Sequence, residues 1–331
     1  MPLAPVPEQH RIVEAIESYF TRLDHAVATL ERVQRNLKSY RASVLKAAVE
    51  GRLVPTEAEL GRAEGRHYDP ATGLDVPDRS VLPDGWRRVS ADAICGAVVS
   101  GSTPAADKLF SGDGEIPFIK VYNLTMTGQL DFTVKPAYVS KETHNGQLSR
   151  SRVYPGDVLT NIVGPPLGKV SVVSTEFPEW NINQAIAAFR PSEGVTTGWL
   201  RLVLMSAPAQ TWLLGTAKTT TSQVNLAITN CRRLPIPLPP VREQVKIVSE
   251  ADRLLSLTDE TEADAGRQLL QIRRLRQSIL KWAFEGRLVD QDPTDEPASV
   301  LLERIKAERA VSAETTKPNR KPRRKGNSAN A

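Results

Sequence analysis

Two stretches of this chain are nearly identical: residues 43–54 read SVLKAAVEGRLV, and residues 278–289 read SILKWAFEGRLV. An offset of 235 residues brings them into register. The same offset aligns Glu8-Gln9 with Glu243-Gln244, and no gap is needed over residues 2–54. Several matches in a single register indicate an internal duplication rather than a shared helix composition.

Each copy of the repeat predicts one long helix. Prolines precede the Glu-Gln pair in both copies, as they do at helix starts, where the first turn needs no intrahelical N–H. No proline then interrupts residues 8–54 or residues 243–289. Gly51 and Gly286 follow the last predicted turns, and glycine adopts the left-handed cap conformation at low cost.

Apolar residues recur every seven positions in both predicted helices. This is the spacing of a coiled coil, in which two positions of each heptad face the partner helix. Because one chain carries both copies, we expect an intramolecular antiparallel pair; the alternative is that each helix packs separately on a globular domain. The predicted seam consists of Leu23, Leu30, Val33, Leu37, Tyr40, Val44, Ile272, Leu275, Ile279 and Trp282.

The segment between the helices has a different composition, rich in Val, Ile, Thr, Gly and Pro. Short apolar runs separated by turn residues predict strands, and one helix is predicted at residues 197–214. The fold class is therefore α+β, with one mixed domain flanked by two long helices. The predicted divisions are a first helix at 1–54, a linker at 55–85, the domain at 86–236, a second helix at 237–290, and a C-terminal segment at 291–331 that ends in a basic, disordered tail.

The net charge of +5 is unevenly distributed along the chain. Residues 317–331 contain six basic and no acidic residues, so the rest of the chain sums to −1. Residues 86–234 contain 14 basic and 10 acidic residues, which is a net charge of +4. A basic tail favours nucleic acid through counterion release without reading its sequence, although a solubilising tail has the same composition.

Several classes of protein are disfavoured by the composition. No run approaches the roughly 18 apolar residues that a membrane span needs, and the first residues lack the features of a signal peptide. Cys95 and Cys231 are too few for a disulfide scaffold or a cysteine-built zinc site, and they fit a reducing cytoplasm. The four histidines lie far apart, which argues against a histidine-based metal site.

Searches for catalytic motifs mostly fail. Residues 164–170 have some likeness to a phosphate-binding loop, but one residue is missing between the glycines and Val170 stands where a hydroxyl is needed. No glycine-rich dinucleotide motif and no nucleophile elbow is present in the sequence. Asp113, Glu115 and Asp157 lie in turn contexts, where a turn-forming role is the simpler interpretation.

The helix boundaries resemble those of a known family, the specificity subunits of Type I restriction–modification systems. The entry Pro237-Leu238-Pro239-Pro240 with Glu243-Gln244 and the exit Lys281–Val289 carry the resemblance, and the first copy repeats them. Within the domain, Pro155-Gly156-Asp157 and Gly168-Lys169-Val170 are similar to recurring features of the family's target-recognition domains.

The resemblance implies a non-catalytic subunit. In this family two target-recognition domains each read one half of a bipartite DNA site, and the helices set the gap between the halves. The helices also dock methyltransferase subunits, which bind S-adenosylmethionine, and the assembly recruits a translocating restriction subunit that uses ATP and magnesium. This chain departs from the family pattern because it has one domain only. The resemblance therefore implies either a truncated subunit or pairing with a second specificity chain.

Polar and basic residues in the predicted loops of the domain are candidates for contact with DNA, because hydroxyl, amide and ammonium groups bind phosphates and base edges. A solvated loop is the alternative interpretation for each of them. The candidates are Ser102, Thr103, Lys120, Tyr122, Asn123, Lys169, Lys218, Thr220, Thr221, Gln223 and Asn225. Asn181-Ile182-Asn183-Gln184 fits a strand-entry turn equally well. Two functions compete with a DNA reader: a coiled-coil adaptor that binds protein only, and an unrecognised nuclease.

Overall fold

The computed structural model describes residues 3–65, 82–112, 114–164, 166–219 and 224–315. The described residues divide into a first unit, formed by residues 3–35 and 262–315, and a second unit, which lies within residues 36–261. The predicted basic tail at 317–331 lies outside the described residues.

The two copies of the repeat form the two longest helices. Helix α1 is Val6–Val49 and the helix of the second copy, α8, is Val241–Phe284, and each has 44 residues. The first and last residues of α8 therefore lie 235 positions after those of α1, which is the offset between the two copies in the sequence. Gly51 and Gly286 have φ values of +68° and +66°, which confirms the predicted left-handed caps.

In the first unit, residues 6–35 of α1 lie antiparallel to residues 262–284 of α8. The guanidinium of Arg276 binds the carboxylate of Asp24 and lies 5.3 Å from the centre of the Phe20 ring. The Asp24 side chain is 65% exposed, so this is a surface ion pair. The same unit contains the C-terminal helix α9, Ala298–Thr315, whose described side chains are mostly exposed.

In the second unit, residues 36–49 of α1 pack with residues 241–261 of α8, and Arg41 binds Asp259. The offset of 235 relates Asp24 to Asp259 and Arg41 to Arg276. The duplication therefore supplies one copy of the same ion pair to each unit. The predicted antiparallel pairing of the two helices is confirmed within each unit.

The predicted seam is wrong at three of its ten residues. The other seven have half-buried or buried side chains and lie in the seam as predicted: Leu23, Leu30, Val33, Leu37, Val44, Ile272 and Ile279. Three residues placed in the second heptad position are instead largely exposed, with exposed fractions of 46% for Tyr40, 41% for Leu275 and 42% for Trp282.

The error has a simple geometric cause. Seam positions in a heptad are alternately three and four residues apart, so the first position alone leaves two phases open. The prediction chose the phase that places aromatic and aliphatic residues in the seam. At these three places the structure buries the next residue along the chain instead. Arg41 and Arg276 are half-buried and paired across the helices, and Ala283 is buried.

The corrected seam predicts different outcomes for two substitutions three residues apart. Ile272→Asp should lower the free energy of unfolding by about 2 kcal/mol, because a carboxylate would enter the seam without a partner. Leu275→Asp should change it by less than about 0.5 kcal/mol, because this side chain is exposed. Urea unfolding followed by circular dichroism at 222 nm measures both values. Equal losses in the two variants would contradict the corrected phase.

The domain in the second unit is built from short strands and helices. Its strands are β1 Arg87–Ser90, β2 Cys95–Ser100, β3 Phe110–Ser111, β4 Ile116–Ile119, β5 Gly128–Gln129, β6 Ala137–Val139, β7 Arg152–Val153, β8 Val158–Asn161, β9 Val170–Val172, β10 Trp180–Ile182, β11 Ile186–Pro191, β12 Lys218–Thr219, β13 Val224–Asn225 and β14 Pro235–Leu238. Its helices are α2 Glu57–Ala63, α3 Ala91–Ile94, α4 Lys141–Asn145, α5 Thr197–Met205, α6 Ala207–Thr216 and α7 Ile228–Arg232.

The strands form two larger sheets that pack on each other. One has the order β3-β6-β4-β10-β7 and the other the order β2-β11-β8-β9-β5. Successive residues of a strand point to opposite faces of its sheet. Leu159 and Ala188 accordingly face the first sheet, while Val158 and Phe189 face the layer of α5 and α6. The domain is therefore layered as sheet, sheet and helices, which confirms the α+β class.

Two local features differ from the sequence-based expectation. The single helix predicted at 197–214 is divided at Ser206, because Pro208 at the start of α6 cannot donate an intrahelical hydrogen bond. The predicted linker contains helix α2, whose first turn is capped by Thr56. The Thr56 hydroxyl accepts from the backbone N–H of Glu59 at 3.1 Å, and the Glu59 carboxylate accepts from the backbone N–H of Thr56 at 2.9 Å.

The domain is attached to the start of α8 by two buried polar side chains. Glu243 accepts hydrogen bonds from the indole N–H of Trp86 at 2.7 Å and from the backbone N–H of Glu57 at 3.1 Å. Gln244 accepts from the backbone N–H of Thr196 at 2.8 Å and donates to the carbonyl of Gly194 at 3.0 Å. The helix start is thus fixed to three separate segments of the domain.

The burial of Glu243 predicts a pH dependence of stability. Burial raises the pKa of Glu243 above its ordinary value near 4.5, while its two hydrogen bonds oppose the rise. A raised native pKa stabilises the fold at low pH, and this contribution is lost as the pH rises from the ordinary value through the native one. The free energy of unfolding of the wild-type chain should therefore fall relative to that of Glu243→Gln in this window.

Urea titrations of both proteins across about pH 3–8 measure this difference. Glu250→Gln is a matched control on the same helix. Hydrogen bonding to Arg253 lowers the pKa of Glu250, so its pH slope should have the opposite sign and should fall below the ordinary value of 4.5. A difference between wild type and Glu243→Gln that stays constant across the range would show that the burial of Glu243 does not control its ionisation.

Candidate nucleic-acid interface

Loops from both large sheets meet along one edge of the domain, and we call this set the loop rim. It consists of residues 101–104, 120–123, 162–164, 166–169 and 183–185. Backbone hydrogen bonds join the loops to one another and to the strand ends. They run from Ser102 N to Ile182 O at 3.2 Å, from Asn183 N to Ile119 O at 3.0 Å, and from Ile162 N to Ala185 O at 2.8 Å. Most of the candidate residues predicted from the sequence, including Ser102, Thr103, Lys120, Tyr122 and Lys169, belong to this rim.

The loop that carries Ser102 and Thr103 passes close to the end of β10. A Cβ atom on Gly101 would lie 2.2 Å from the carbonyl oxygens of Ile182 and Asn183, so only glycine fits there. Ser102 is half-buried and Thr103 is exposed. The backbone N–H of Gln184 donates to the Thr103 hydroxyl at 3.3 Å, which leaves the Thr103 hydroxyl hydrogen and the exposed Gln184 amide available to a ligand.

Lys120 and Tyr122 lie in the next loop of the rim. Lys120 is half-buried, whereas Tyr122 is 38% exposed and donates its hydroxyl hydrogen to the carbonyl of Lys135 at 2.9 Å. A cavity of about 440 Å³ is lined by these residues together with Lys135 and the exposed Phe110. The sequence analysis missed Lys135 and Phe110, because only the folded chain brings them beside Tyr122.

Asn123, a predicted DNA contact, has a structural role instead. Its side chain is fully buried. The side-chain oxygen accepts from the backbone N–H of Lys120 at 2.9 Å, and the amide nitrogen donates to the carbonyls of Asp131 at 3.0 Å and Val134 at 2.8 Å. Through these bonds Asn123 stabilises the loop that carries Lys120 and Tyr122. The predicted contact of Asn123 with DNA is therefore corrected to a structural role.

The turn between β8 and β9 is held by a second buried asparagine. Asn161 donates to the carbonyl of Pro166 at 2.9 Å and accepts from the backbone N–H of Lys169 at 3.0 Å. The ammonium of Lys169 donates to the carbonyl of Val121 at 3.2 Å. Lys169 is therefore brought next to the Lys120 loop, and the two cations belong to one surface.

The hairpin β12–β13 lies beside this turn. Val163 forms an isolated bridge with Asn225, and the backbone N–H of Leu226 donates to the carbonyl of Ile162 at 2.9 Å. Asn225 is exposed, and the backbone of Lys218 pairs with it across the hairpin. The predicted contacts Thr220, Thr221 and Gln223 lie outside the described residues.

The carboxylates considered for catalysis make structural contacts. Asp157 is 2% exposed, accepts from the backbone N–H of Tyr154 at 3.0 Å and pairs with Arg190 at 2.8 Å. Glu115 accepts from the backbone N–H of Lys141 at 2.8 Å, which lowers the pKa of Glu115. Asp113 lies outside the described residues. The two observed carboxylates thus fit the turn-forming interpretation.

Burial raises the pKa of the thiols of Cys95 and Cys231 to about 12, so both remain protonated near neutral pH. Within the part of the chain that the structure describes, no three His, Cys, Asp or Glu side chains are grouped to hold a metal ion. Of the described helices, none is both long enough and apolar enough to cross a bilayer.

Comparison with known proteins places the fold in context. The chain is 29% identical to the Type I restriction enzyme EcoBI specificity subunit of Escherichia coli over 94% of this chain and 65% of that protein. It is 26% identical to the EcoKI specificity subunit of Escherichia coli strain K12, over 94% of this chain and 64% of that protein. The chain therefore spans about two thirds of the length of these relatives.

Solved structures share the fold. A chain from a structure of the assembly and conformational transition of the type I R-M system aligns with a TM-score of 0.63 and 22% identity, over 87% of this chain and 62% of that one. The HsdS subunit from Thermoanaerobacter tengcongensis aligns with a TM-score of 0.50 and 22% identity, over 87% of this chain and 61% of that one.

The family model for the Type I restriction modification DNA specificity domain matches residues 83–271. This match covers the whole loop rim, the two large sheets and the start of α8. The chain therefore belongs to the family of Type I restriction modification DNA specificity domain proteins.

Proposed function

We propose that this chain is the DNA sequence-recognition subunit of a Type I restriction–modification complex. The observation that carries the proposal is the specificity-domain match over residues 83–271, which contains every described residue of the loop rim. Two relatives that align with 94% of the chain are specificity subunits by name. The chain itself would carry no catalytic centre.

The loop rim has the chemistry that DNA reading requires. Lys120 and Lys169 supply positive charge for phosphates, while Thr103, Gln184 and Asn225 supply hydroxyl and amide groups for base edges or the backbone. The loops end strands that are buried in two stacked sheets, so their positions are fixed before a ligand binds. The net charge of +4 over residues 86–234 adds a sequence-independent attraction to the duplex.

One domain of this kind would read one half of a bipartite site. A single reading domain makes a fraction of the phosphate contacts of a pair, so its affinity alone should be weak and strongly salt-dependent. A second reading domain, carried by another specificity chain or by an extension of this one, would supply the other half and raise the affinity through effective concentration.

We infer that the long helices dock the methyltransferase subunits. Both helices carry large exposed apolar side chains, which a docked subunit would cover. They include Tyr40 and Leu257 in the second unit, and Tyr19, Leu270, Leu275 and Trp282 in the first unit. S-adenosylmethionine, ATP and magnesium would be bound by the partner subunits and not by this chain.

Selection from a pool of duplexes with a randomised segment tests the proposed function. The chain, alone and with its methyltransferase partner, should enrich a short run of defined bases. Binding of the partner without enrichment of any sequence would favour a coiled-coil adaptor instead. Cleavage of the pool by the purified chain with magnesium would favour a nuclease. Either of these two results would overturn the assignment as a non-catalytic DNA reader.

The enriched duplex allows a test of the loop rim itself. Lys120→Ala and Lys169→Ala should each weaken binding by about tenfold and reduce the salt slope of the association constant by about 1, because each removes one phosphate contact. Lys141→Ala is the matched control, since Lys141 lies outside the rim and pairs with Glu115 at 3.6 Å. Fluorescence anisotropy at several salt concentrations measures all three. Unchanged slopes in the two rim variants would remove this edge of the domain from the interface.

A further inference from the structure

The edge strand β3 carries a phenylalanine that the core does not use. Phe110 is 49% exposed, whereas the residue before it, Leu109, packs against the buried cluster that contains Phe118 and Val139. Successive residues of an extended segment point to opposite sides, so Phe110 faces away from that cluster. Its cross-strand partner Tyr138 is half-buried. The fold therefore leaves the ring of Phe110 at the surface, at the open edge of the sheet.

The rings next to Phe110 are satisfied by one another. Tyr138 packs edge-on against Phe132 with ring centres 5.5 Å apart, and Phe132 packs edge-on against Trp180 at 5.1 Å. Among the described residues, none makes a ring contact of this kind with Phe110. A single exposed apolar side chain is common on protein surfaces, so its surroundings decide whether it serves a ligand.

The surroundings of Phe110 are positively charged. Phe110 lines the cavity of about 440 Å³ together with Lys120, Tyr122 and Lys135. None of the described residues that line this cavity is acidic, and neither lysine pairs with a carboxylate from the described part of the chain. An apolar ring between two such cations is complementary to a DNA groove, where the methyl groups of thymines lie between rows of phosphates.

The turn that carries Lys135 is held in an uncommon conformation. Lys135 has a φ of +45° and is the one non-glycine residue with a positive φ in the described ranges. The Tyr122 hydroxyl donates to the carbonyl of Lys135 at 2.9 Å, and the Asn123 amide donates to the carbonyl of Val134 at 2.8 Å. Backbone strain of this kind is concentrated at ligand-binding sites. These bonds therefore fix Lys135 at the cavity before a ligand binds.

We propose that Phe110 recognises one thymine of the target sequence by packing against its C5 methyl group, while Lys135 binds a neighbouring phosphate. In the major groove the thymine methyl is an apolar group that a phenylalanine contacts directly. The phosphate contact carries no sequence information, so the two residues have separate roles. This inference deepens the proposed function, on which it rests, because it names a base that the domain distinguishes and the side chain that distinguishes it.

Replacement of thymine by uracil tests the methyl contact, because it removes the methyl group and keeps every hydrogen-bonding group of the base. Each thymine of the duplex enriched by the selection is replaced in turn. Fluorescence anisotropy then gives the association constants of the full chain with its methyltransferase partner. One replacement should weaken binding of the wild-type chain about fourfold, which is the effect of one buried methyl group. Phe110→Ala should bind the thymine and uracil forms of that duplex equally.

Two further variants separate the roles. Met126→Ala is the matched control, because Met126 is a 57% exposed apolar side chain on a different loop, and it should keep the fourfold discrimination. Lys135→Gln should weaken binding to both forms of the duplex by the same factor and reduce the salt slope by about 1. Since Phe110 is exposed, Phe110→Ala should leave the midpoint of urea unfolding unchanged.

Discrimination that persists in Phe110→Ala would overturn the proposal, as would a target sequence in which no thymine is sensitive to replacement. An unchanged salt slope in Lys135→Gln would overturn the phosphate contact. Loss of methyltransferase binding in Phe110→Ala, with the discrimination intact, would assign the ring to a protein contact instead. Each of these results leaves the proposed function standing, because a sequence is still enriched. Failure of the selection to enrich any sequence would overturn the proposed function and this inference together.

Discussion

The contact on which the second unit depends is the buried anchor at the start of α8. Glu243 and Gln244 leave water and are compensated by donors and acceptors from three segments of the domain, at Glu57, Trp86 and residues 194–196. Burying a carboxylate and an amide is unfavourable unless every bond is made with good geometry. The anchor therefore tolerates few arrangements of domain and helix start, and that restriction gives the loop rim a defined position relative to the start of α8.

The layered core connects the anchor to the loop rim and fixes the position of one relative to the other. Trp199 at the start of α5 packs edge-on against Trp86, with ring centres 5.5 Å apart, and donates its indole N–H to the carbonyl of Pro237 at 2.9 Å. The helices α5 and α6 cover β8 and β11, and the strands end in the rim. A closely packed interior has few voids that could absorb a displacement. Loops at the ends of such strands are therefore held in place. Asn123 and Asn161 then fix the individual turns through bonds that leave Lys120 and Lys169 at the surface.

Much of the architecture follows from the sequence, because the duplication and its glycine caps fix the helices α1 and α8 independently of any tertiary contact. The seam phase did not follow, since it depends on whether Arg41 and Arg276 find carboxylates across the helix pair. Asn123 was misassigned for a related reason. The sequence of a polar loop does not show whether an asparagine amide faces solvent or binds the carbonyls of the loop itself. Lys135 and Phe110 lie beside Tyr122 only through the pairing of β3 with β6, which local sequence does not specify.

The two copies of the repeat also show which residues the shared contacts retain. Positions that form the anchor, the ion pairs and the caps carry the same residue in both copies. Some apolar positions are also identical, such as Val13 and Val248, whereas others differ, as Val49 differs from Phe284 and Ala47 from Trp282. The identical pairs of the anchor, the ion pairs and the caps are Glu8 and Glu243, Gln9 and Gln244, Asp24 and Asp259, Arg41 and Arg276, and Gly51 and Gly286.

Hydrogen bonds and ion pairs depend on the placement of specific atoms, while apolar packing accepts any side chain of suitable volume. The ion pairs of Arg41 with Asp259 and of Arg276 with Asp24 are accordingly kept in both units.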